Sequence, residues 1–508
     1  MHRKIAIAAL LAVAASSLGL PASAAKPKPI PALTPDAVTH HHITVNGRSL
    51  NYSARAGTIT LRNGEDEPTA RVFYTAYTLD GVSPGSRPVT FMYNGGPGSS
   101  TMWLRMGSFG PVRVATNPDG QLTGPPPYRV IVNQYTLLDR SDLVFIDMPG
   151  SGFGRIIGAG TRDDFWGVDE DANAFAQFIQ RFLTQFNRWN SPRFLFGESY
   201  GTTRTSVLAK VLQDRGVGLN GIVLLSSFLN SNIDYNDGAP IGGGDWGYIL
   251  YLPTETATAW YHHRLSYNGP LEPLLSEVEN FALTEYLDAL GQGSLLAPDR
   301  FNEIVSKLHQ YTGLSEQYIR LSNLRIPYDR FENELLRDSG KTVGRIDARF
   351  ETYVLDRPEV SPDWDATDAA IDSAFVSTSN YYLRDVLQYR TPLLYRSDIY
   401  GLIYGDGQSW DFKHGQNEQI LNVTPDLAQT MTYNPNLKVF SANGYFDFAT
   451  PFFATQYALS HLYLAPALQR NITYGFYESG HMVYLHPASL ARFHNDLERW
   501  YAEALRHA

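Results

Sequence analysis

The segment Gly197-Glu198-Ser199-Tyr200-Gly201 places a serine between small residues, after the apolar strand Arg193–Phe196 and before a helix with Val207, Leu208, Val211 and Leu212 on one face. A G-x-S-x-G turn in that context lifts the hydroxyl above a sheet and aims the next helix N-terminus at it, the arrangement of a nucleophile elbow. A serine becomes a nucleophile only with a base in hydrogen-bond reach, and an imidazole base needs a carboxylate to fix its tautomer. With an elbow serine the partners follow in the order acid, then histidine. Asp447, just past the strand KVFSA, and His481, just past ITYGFY, stand in that order. Asp147 is a rival acid but precedes the serine, and His486 is a rival base. Acyl transfer also needs backbone N–H groups aimed at the developing oxyanion. Tyr200 supplies one, and Gly96 in the turn Asn94-Gly95-Gly96-Pro97-Gly98 is the expected second.

Other motifs lead elsewhere and are set aside on chemistry. The Gly-rich turn after Tyr93 lacks the Lys-Ser/Thr ending of a phosphate-binding loop, and Gly150-Ser151-Gly152-Phe153-Gly154 lacks the dinucleotide spacing. His40, His41 and His42 are adjacent on a strand and so point to alternating faces. Zero cysteine excludes thiol catalysis and Cys-ligated metal, so neither metal nor cofactor is expected. A net charge of −10 without a long basic run argues against nucleic acid or an anionic membrane as partner.

Elements that could position these groups begin near residue 88, where short apolar strands alternate with helical patterns. Val89–Tyr93, Leu143–Ile146, Arg193–Phe196 and Gly221–Leu225 read as strands, and Phe175, Phe178, Ile179, Phe182 and Phe186 recur at helical spacing behind Asp169, Glu170 and Asp171. This βαβαβ succession implies a mostly parallel sheet flanked by helices. Ahead of it, His42–Ser53, Thr58–Arg62 and Ala70–Tyr77 read as an antiparallel lead-in, broken at Asn46-Gly47, Ala56-Gly57 and Asn63-Gly64. Residues 1–24 combine a basic start, an apolar run and Ala22-Ser23-Ala24, the pattern of a secretory signal, and residues 25–40 contain a Pro-rich linker. The core then occupies 41–230 and 396–508, with a mainly helical cap inserted over 231–395. Of 508 residues 43% are hydrophobic and 18% charged, enough apolar material for a large core without disulfides. A secreted or periplasmic location is expected, with no membrane association after signal removal. Asn51, Asn422 and Asn471 head glycosylation triplets.

YNGGPGSS (93–100), LVFIDMPGSGFG (143–154), FGESYG (196–201), NGYFDFATP (443–451) and SGHMV (479–483) together resemble the serine carboxypeptidase family. The resemblance implies the α/β-hydrolase fold for the core and cleavage of C-terminal residues from peptide or protein substrates by Ser199, Asp447 and His481. It also implies oxyanion donors at Gly96 and Tyr200, and a site for the substrate's terminal carboxylate made by Asn94, Gly95 and Glu198. Two positions depart from the family pattern. Ser99 stands where the family has a cysteine, and Ser108-Phe109-Gly110-Pro111 stands where it has E-L-G-P, whose glutamate shares a proton with the glutamate before the serine. The same triad could serve an esterase, an acyltransferase or another peptidase, and a non-catalytic binding protein of the same fold is the reading from another class.

Overall fold

A computed structural model describes residues 30, 32–117, 120–233, 244–405, 407–415 and 421–506. The signal pattern at 1–24 lies outside the described residues. Nine strands follow one another across a single sheet in the order Ala37–Val45, Arg48–Arg62, Pro68–Leu79, Asp142–Ile146, Val89–Tyr93, Arg193–Ser199, Gly221–Ser227, Lys438–Gly444 and Ile472–Tyr477, with the short Arg155–Ile156 added beside Pro68–Leu79. The first three strands are antiparallel, and from Asp142–Ile146 onward every neighbouring pair is parallel. VTFMY, DLVFI and GIVLLSS are buried along their whole length, as expected for parallel strands covered on both faces.

Two apolar cores lie on the two faces. Leu195 packs into one core and Phe194 and Phe196 into the other, following the two-residue alternation of a strand. Helix Val168–Gln185 covers the first face, where Phe178 and Phe182 meet the Tyr74 ring edge-on at 5.6 and 5.8 Å. Helix Pro487–Ala504 covers the second, with Phe493 stacked on Phe440 at 5.9 Å and Trp500 against Phe194 at 5.7 Å. The Asp169-Glu170-Asp171 run does sit in the first turn of its helix, where carboxylates complement the helix dipole.

The lead-in differs from its sequence expectation at two points. Arg48–Arg62 runs unbroken through Ala56-Gly57. Gly57 is there because a Cβ would run into the Asp36 carboxylate, so it marks a close approach and not a turn. The first strand also begins at Ala37, inside the stretch read as linker, since alternating exposure is already established there. Between Ser227 and Lys438 the described residues leave the sheet and are mainly helical, with one two-stranded ribbon among them, Lys341–Val343 and Glu351–Tyr353, that the weak strand signals did not foretell. Among the described residues no helix is long and apolar enough to cross a membrane.

Candidate active site

Ser199 ends the strand Arg193–Ser199 and immediately precedes the helix Tyr200–Asp214, at φ 62° and ψ −133°. A non-glycine residue held at positive φ costs about 1–3 kcal/mol and persists only where its surroundings over-determine it. Here the flanking glycines let two backbones meet. A Cβ on Gly197 would strike the Gly201 carbonyl, and one on Gly201 would lie 3.0 Å from the Tyr93 carbonyl. Thr202 Oγ1 then donates to the Ser199 carbonyl at 2.7 Å and accepts from Phe228 N at 2.9 Å, tying the turn to the neighbouring loop.

Asp447 and His481, 34 residues apart in sequence, meet through a hydrogen bond of 2.9 Å between His481 Nδ1 and Asp447 Oδ2. Thr450 holds the carboxylate with its backbone N–H on Oδ1 at 2.9 Å and its hydroxyl on Oδ2 at 2.7 Å. With Nδ1 committed, Nε2 is the imidazole nitrogen left to act as base. Burial pulls the His481 pKa down, but the charge and hydrogen bond of Asp447, with Glu198 nearby, lift it above the ordinary histidine value. His481 and the elbow share an anchor. Ser226 Oγ donates to the His481 carbonyl at 2.7 Å, and the next residue, Ser227, pairs in register with Ser199.

The rivals are engaged elsewhere. Asp147 accepts from Thr101 N at 2.7 Å and from the Tyr395 hydroxyl at 3.1 Å, beneath the Gly-rich turn. His486 Nδ1 meets Ser489 Oγ at 2.8 Å where the last helix begins.

Gly95 presses against the elbow so closely that a Cβ would strike Tyr200 N. Gly96 follows at φ 110°, with Tyr400 3.0 Å from where its Cβ would stand. A buried ion pair fixes this turn from below. Arg204 Nε meets Asp171 Oδ2 at 2.6 Å and Arg204 Nη1 donates to the Asn94 carbonyl at 2.7 Å, both side chains being fully enclosed. Burial pushes Asp171 up to about 6 against the pull of Arg204. The 2.6 Å contact identifies the charged pair as the state at neutral pH.

Glu198 is buried, and burial pushes its carboxyl up to about 7 despite the opposing charge of His481 and hydrogen bonds from Tyr484 and Asn94. The Tyr484 hydroxyl donates to Glu198 Oε1 at 3.1 Å, while Oε2 is buried without a partner. Asn94 Oδ1 accepts from Leu104 N at 3.0 Å, which leaves its amide nitrogen to the Glu198–Tyr484 pair. Ser108 is buried but turns away, donating to the Leu104 carbonyl at 2.6 Å. The Tyr484 ring fills the adjoining space, 2.6 Å from where a Cβ on Gly107 would lie. Sequence reasoning missed Tyr484, Thr450 and the Asp171–Arg204 pair; only Thr450, three residues after Asp447, carried a local signal.

Residues 47–270 match the family model described as serine carboxypeptidase. A serine carboxypeptidase-like protein 28 of Arabidopsis thaliana is 28% identical over 45% of this chain and 50% of its own, and carboxypeptidase Y of Saccharomyces cerevisiae is 23% identical over 44% and 41%. The chain thus spans about half the length of these curated relatives. In structure it is similar to a prohormone-processing carboxypeptidase of Saccharomyces cerevisiae, with a TM-score of 0.50 at 16% identity over 89% of this chain and 91% of that one. On these matches the chain is similar to the serine carboxypeptidases over residues 47–270, and its fold is that of the α/β-hydrolases.

Proposed function

We propose that the protein is an exported serine peptidase of carboxypeptidase type, with Ser199 as nucleophile, His481 as base and Asp447 as the group that orients it. The observation that carries the reading is the Asp447–His481 pair anchored beside a strained Ser199, next to a buried Glu198 with one oxygen unpartnered. Ser199 Oγ attacks the scissile carbonyl carbon as His481 Nε2 takes its proton. The N–H groups of Gly96 and Tyr200 stabilise the oxyanion, a contribution of about 3 kcal/mol per donor. His481 returns the proton to the departing amine, and water, activated by the same imidazole, hydrolyses the acyl-enzyme.

Carboxypeptidase specificity follows from Glu198. An ionised carboxylate there would repel the substrate's own terminal carboxylate. A protonated Glu198, with Oε1 accepting from Tyr484, offers its acidic proton to the substrate, while Asn94 and Gly95 complete the site. The Asn94–Glu198–Tyr484 arrangement supports this reading without a glutamate at position 108. Mass spectrometry of a defined peptide mixture after incubation tests it. Stepwise loss from the C-terminus of free-acid peptides, with amidated copies spared, is the expected result. Equal attack on both would identify an esterase-like or endopeptidase use of the same triad, and a fluorophosphonate probe that fails to label Ser199 would identify a non-catalytic protein.

A further inference from the structure

The insertion sends one stretch back into the site. Phe448 N donates to the Arg345 carbonyl at 3.0 Å, Ala348 N to the Phe446 carbonyl at 3.0 Å, and His481 N to the Ile346 carbonyl at 2.7 Å. Residues 345–348 therefore brace both flanks of Asp447 and the backbone of His481 itself. Arg345 is half-buried there, amid Tyr328, Glu332, Tyr251 and Asp365, and its charge acts on Asp368 and His481.

Four of the arginines this fold encloses are given a carboxylate, while Arg105 meets the Tyr395 hydroxyl at 3.4 Å instead. Arg87 and Arg188 meet Asp142 at 2.7 and 2.6 Å, Arg204 meets Asp171 at 2.6 Å, and Arg349 meets Asp347 at 2.5 Å. Among the described residues the Arg345 guanidinium makes no hydrogen bond and no ion pair. Its acidic neighbours are committed to backbone donors or pushed up by burial, Asp368 to about 7. The Asp365 oxygens accept from Ile346 N at 2.8 Å and Thr367 N at 2.7 Å, and burial pushes Glu332 well above the carboxylate range. Tyr251 and Tyr328, the two tyrosines that feel the Arg345 charge, stack on each other at 5.3 Å. A planar fork of donors beside two tyrosines, its backbone fixed to the loops of the base and its acid, is suited to a carboxylate brought by a ligand.

Building on the peptidase reading, we propose that Arg345 binds a carboxylate of the peptide substrate beside the scissile bond. Two sources offer that chemistry: the substrate's terminal carboxylate and an acidic side chain of its last residue.

The test uses four peptides that differ only at the end, Glu or Gln as last residue, each as free acid or amide, with wild type, Arg345→Met and Arg345→Lys. Thermal midpoints matching wild type establish that the variants are folded. Arg345→Met is expected to raise KM by roughly 10-fold or more with a smaller change in kcat, on carboxylate-bearing substrates selectively. Arg345→Lys should recover part of the loss. If the effect follows the free acid regardless of side chain, the terminal carboxylate is the ligand; if it follows Glu regardless of amidation, the side chain is. Unchanged KM on all four, or an equal loss on all four, overturns the proposal. Calorimetric titration with free glutamate and free glutamine, with N-acetylglutamate alongside, reads the same preference without turnover. Should wild type cut none of the peptides, the peptidase reading fails and that titration decides Arg345: binding weakened by Arg345→Met supports the proposal, and binding that is absent or unchanged overturns it.

Discussion

Glu198 carries a single titration that reports on the whole proposed exopeptidase site. Its carboxyl is pushed up to about 7 by burial, with Tyr484 as the hydrogen-bond donor that opposes the shift. Below that pH it is protonated and can accept a terminal carboxylate; above it, the two anions repel. The kcat/KM for a free-acid peptide should fall above about pH 7 with unit slope, while the matched amide lacks that limb and follows His481 alone. Tyr484→Phe removes a bond that favours the anion, so the limb should move to higher pH while KM rises several-fold from lost positioning. An unmoved limb would mean that Tyr484 does not touch the titrating group. Ser199→Ala and His481→Ala should each lower kcat by roughly 10⁴ to 10⁶, with the double variant no worse than the worse single, because the triad acts as a unit. Multiplicative losses in single-turnover assays would disprove the assignment. The sharp turn at Ser199 and the pairing of Asp447 with His481 were legible because a nucleophile elbow dictates the order of the partners expected of it. Tyr484 was not: it reaches Glu198 across 286 residues, and no local pattern marks a tyrosine that donates to a carboxyl so distant in sequence.

At the scale of elements, apolar runs such as VTFMY and GIVLLSS declared themselves as buried strands, and Phe175 to Phe186 as a helix face, because burial imposes a period on sequence. What escaped was determined by contacts between elements. Gly57 looked like a turn and is a point of approach to Asp36, and Asp171 looked like a dipole-complementing acid and is half of a buried pair. That pair joins the helix Val168–Gln185 to the helix after the nucleophile and, through Arg204, to the Asn94 carbonyl. Asp171→Asn leaves a guanidinium enclosed without its counter-charge and should cost about 3–5 kcal/mol of stability. Replacing both residues by apolar ones of similar volume should cost less. Urea unfolding of the two variants distinguishes a paired charge from simple packing, which would make the double change the worse one.

Across the whole molecule, the stretch between the strands Gly221–Ser227 and Lys438–Gly444 is fastened to the helix Val168–Gln185 by His414, whose ring nitrogens meet Asp169 and Asp426 at 2.7 Å each. These two carboxylates raise His414 to about 10. A histidine whose folded pKa lies above its unfolded value stabilises fully below the unfolded value near 6.5 and loses that contribution as pH rises through the folded one. His414→Gln should therefore lower Tm at pH 6, with the gap to wild type closing as pH approaches 10; a gap that is constant with pH would point to packing alone. The ribbon and brace of the insertion were illegible for a related reason: residues 345–348 act through backbone hydrogen bonds, to which sequence composition is nearly blind. Their placement bears on how this scaffold could acquire new substrates. Variation in an excursion from a conserved sheet is ordinarily free to explore, because the reaction centre is built elsewhere. Here residues 344–350 are part of the excursion by position and of the proposed reaction centre by bonding, so drift in the one perturbs the other. A grafting or diversification scheme that exchanges the excursion as a cassette should lose turnover unless that heptapeptide travels with the sheet, and innovation in this lineage is thereby channelled into the helices on either side of it.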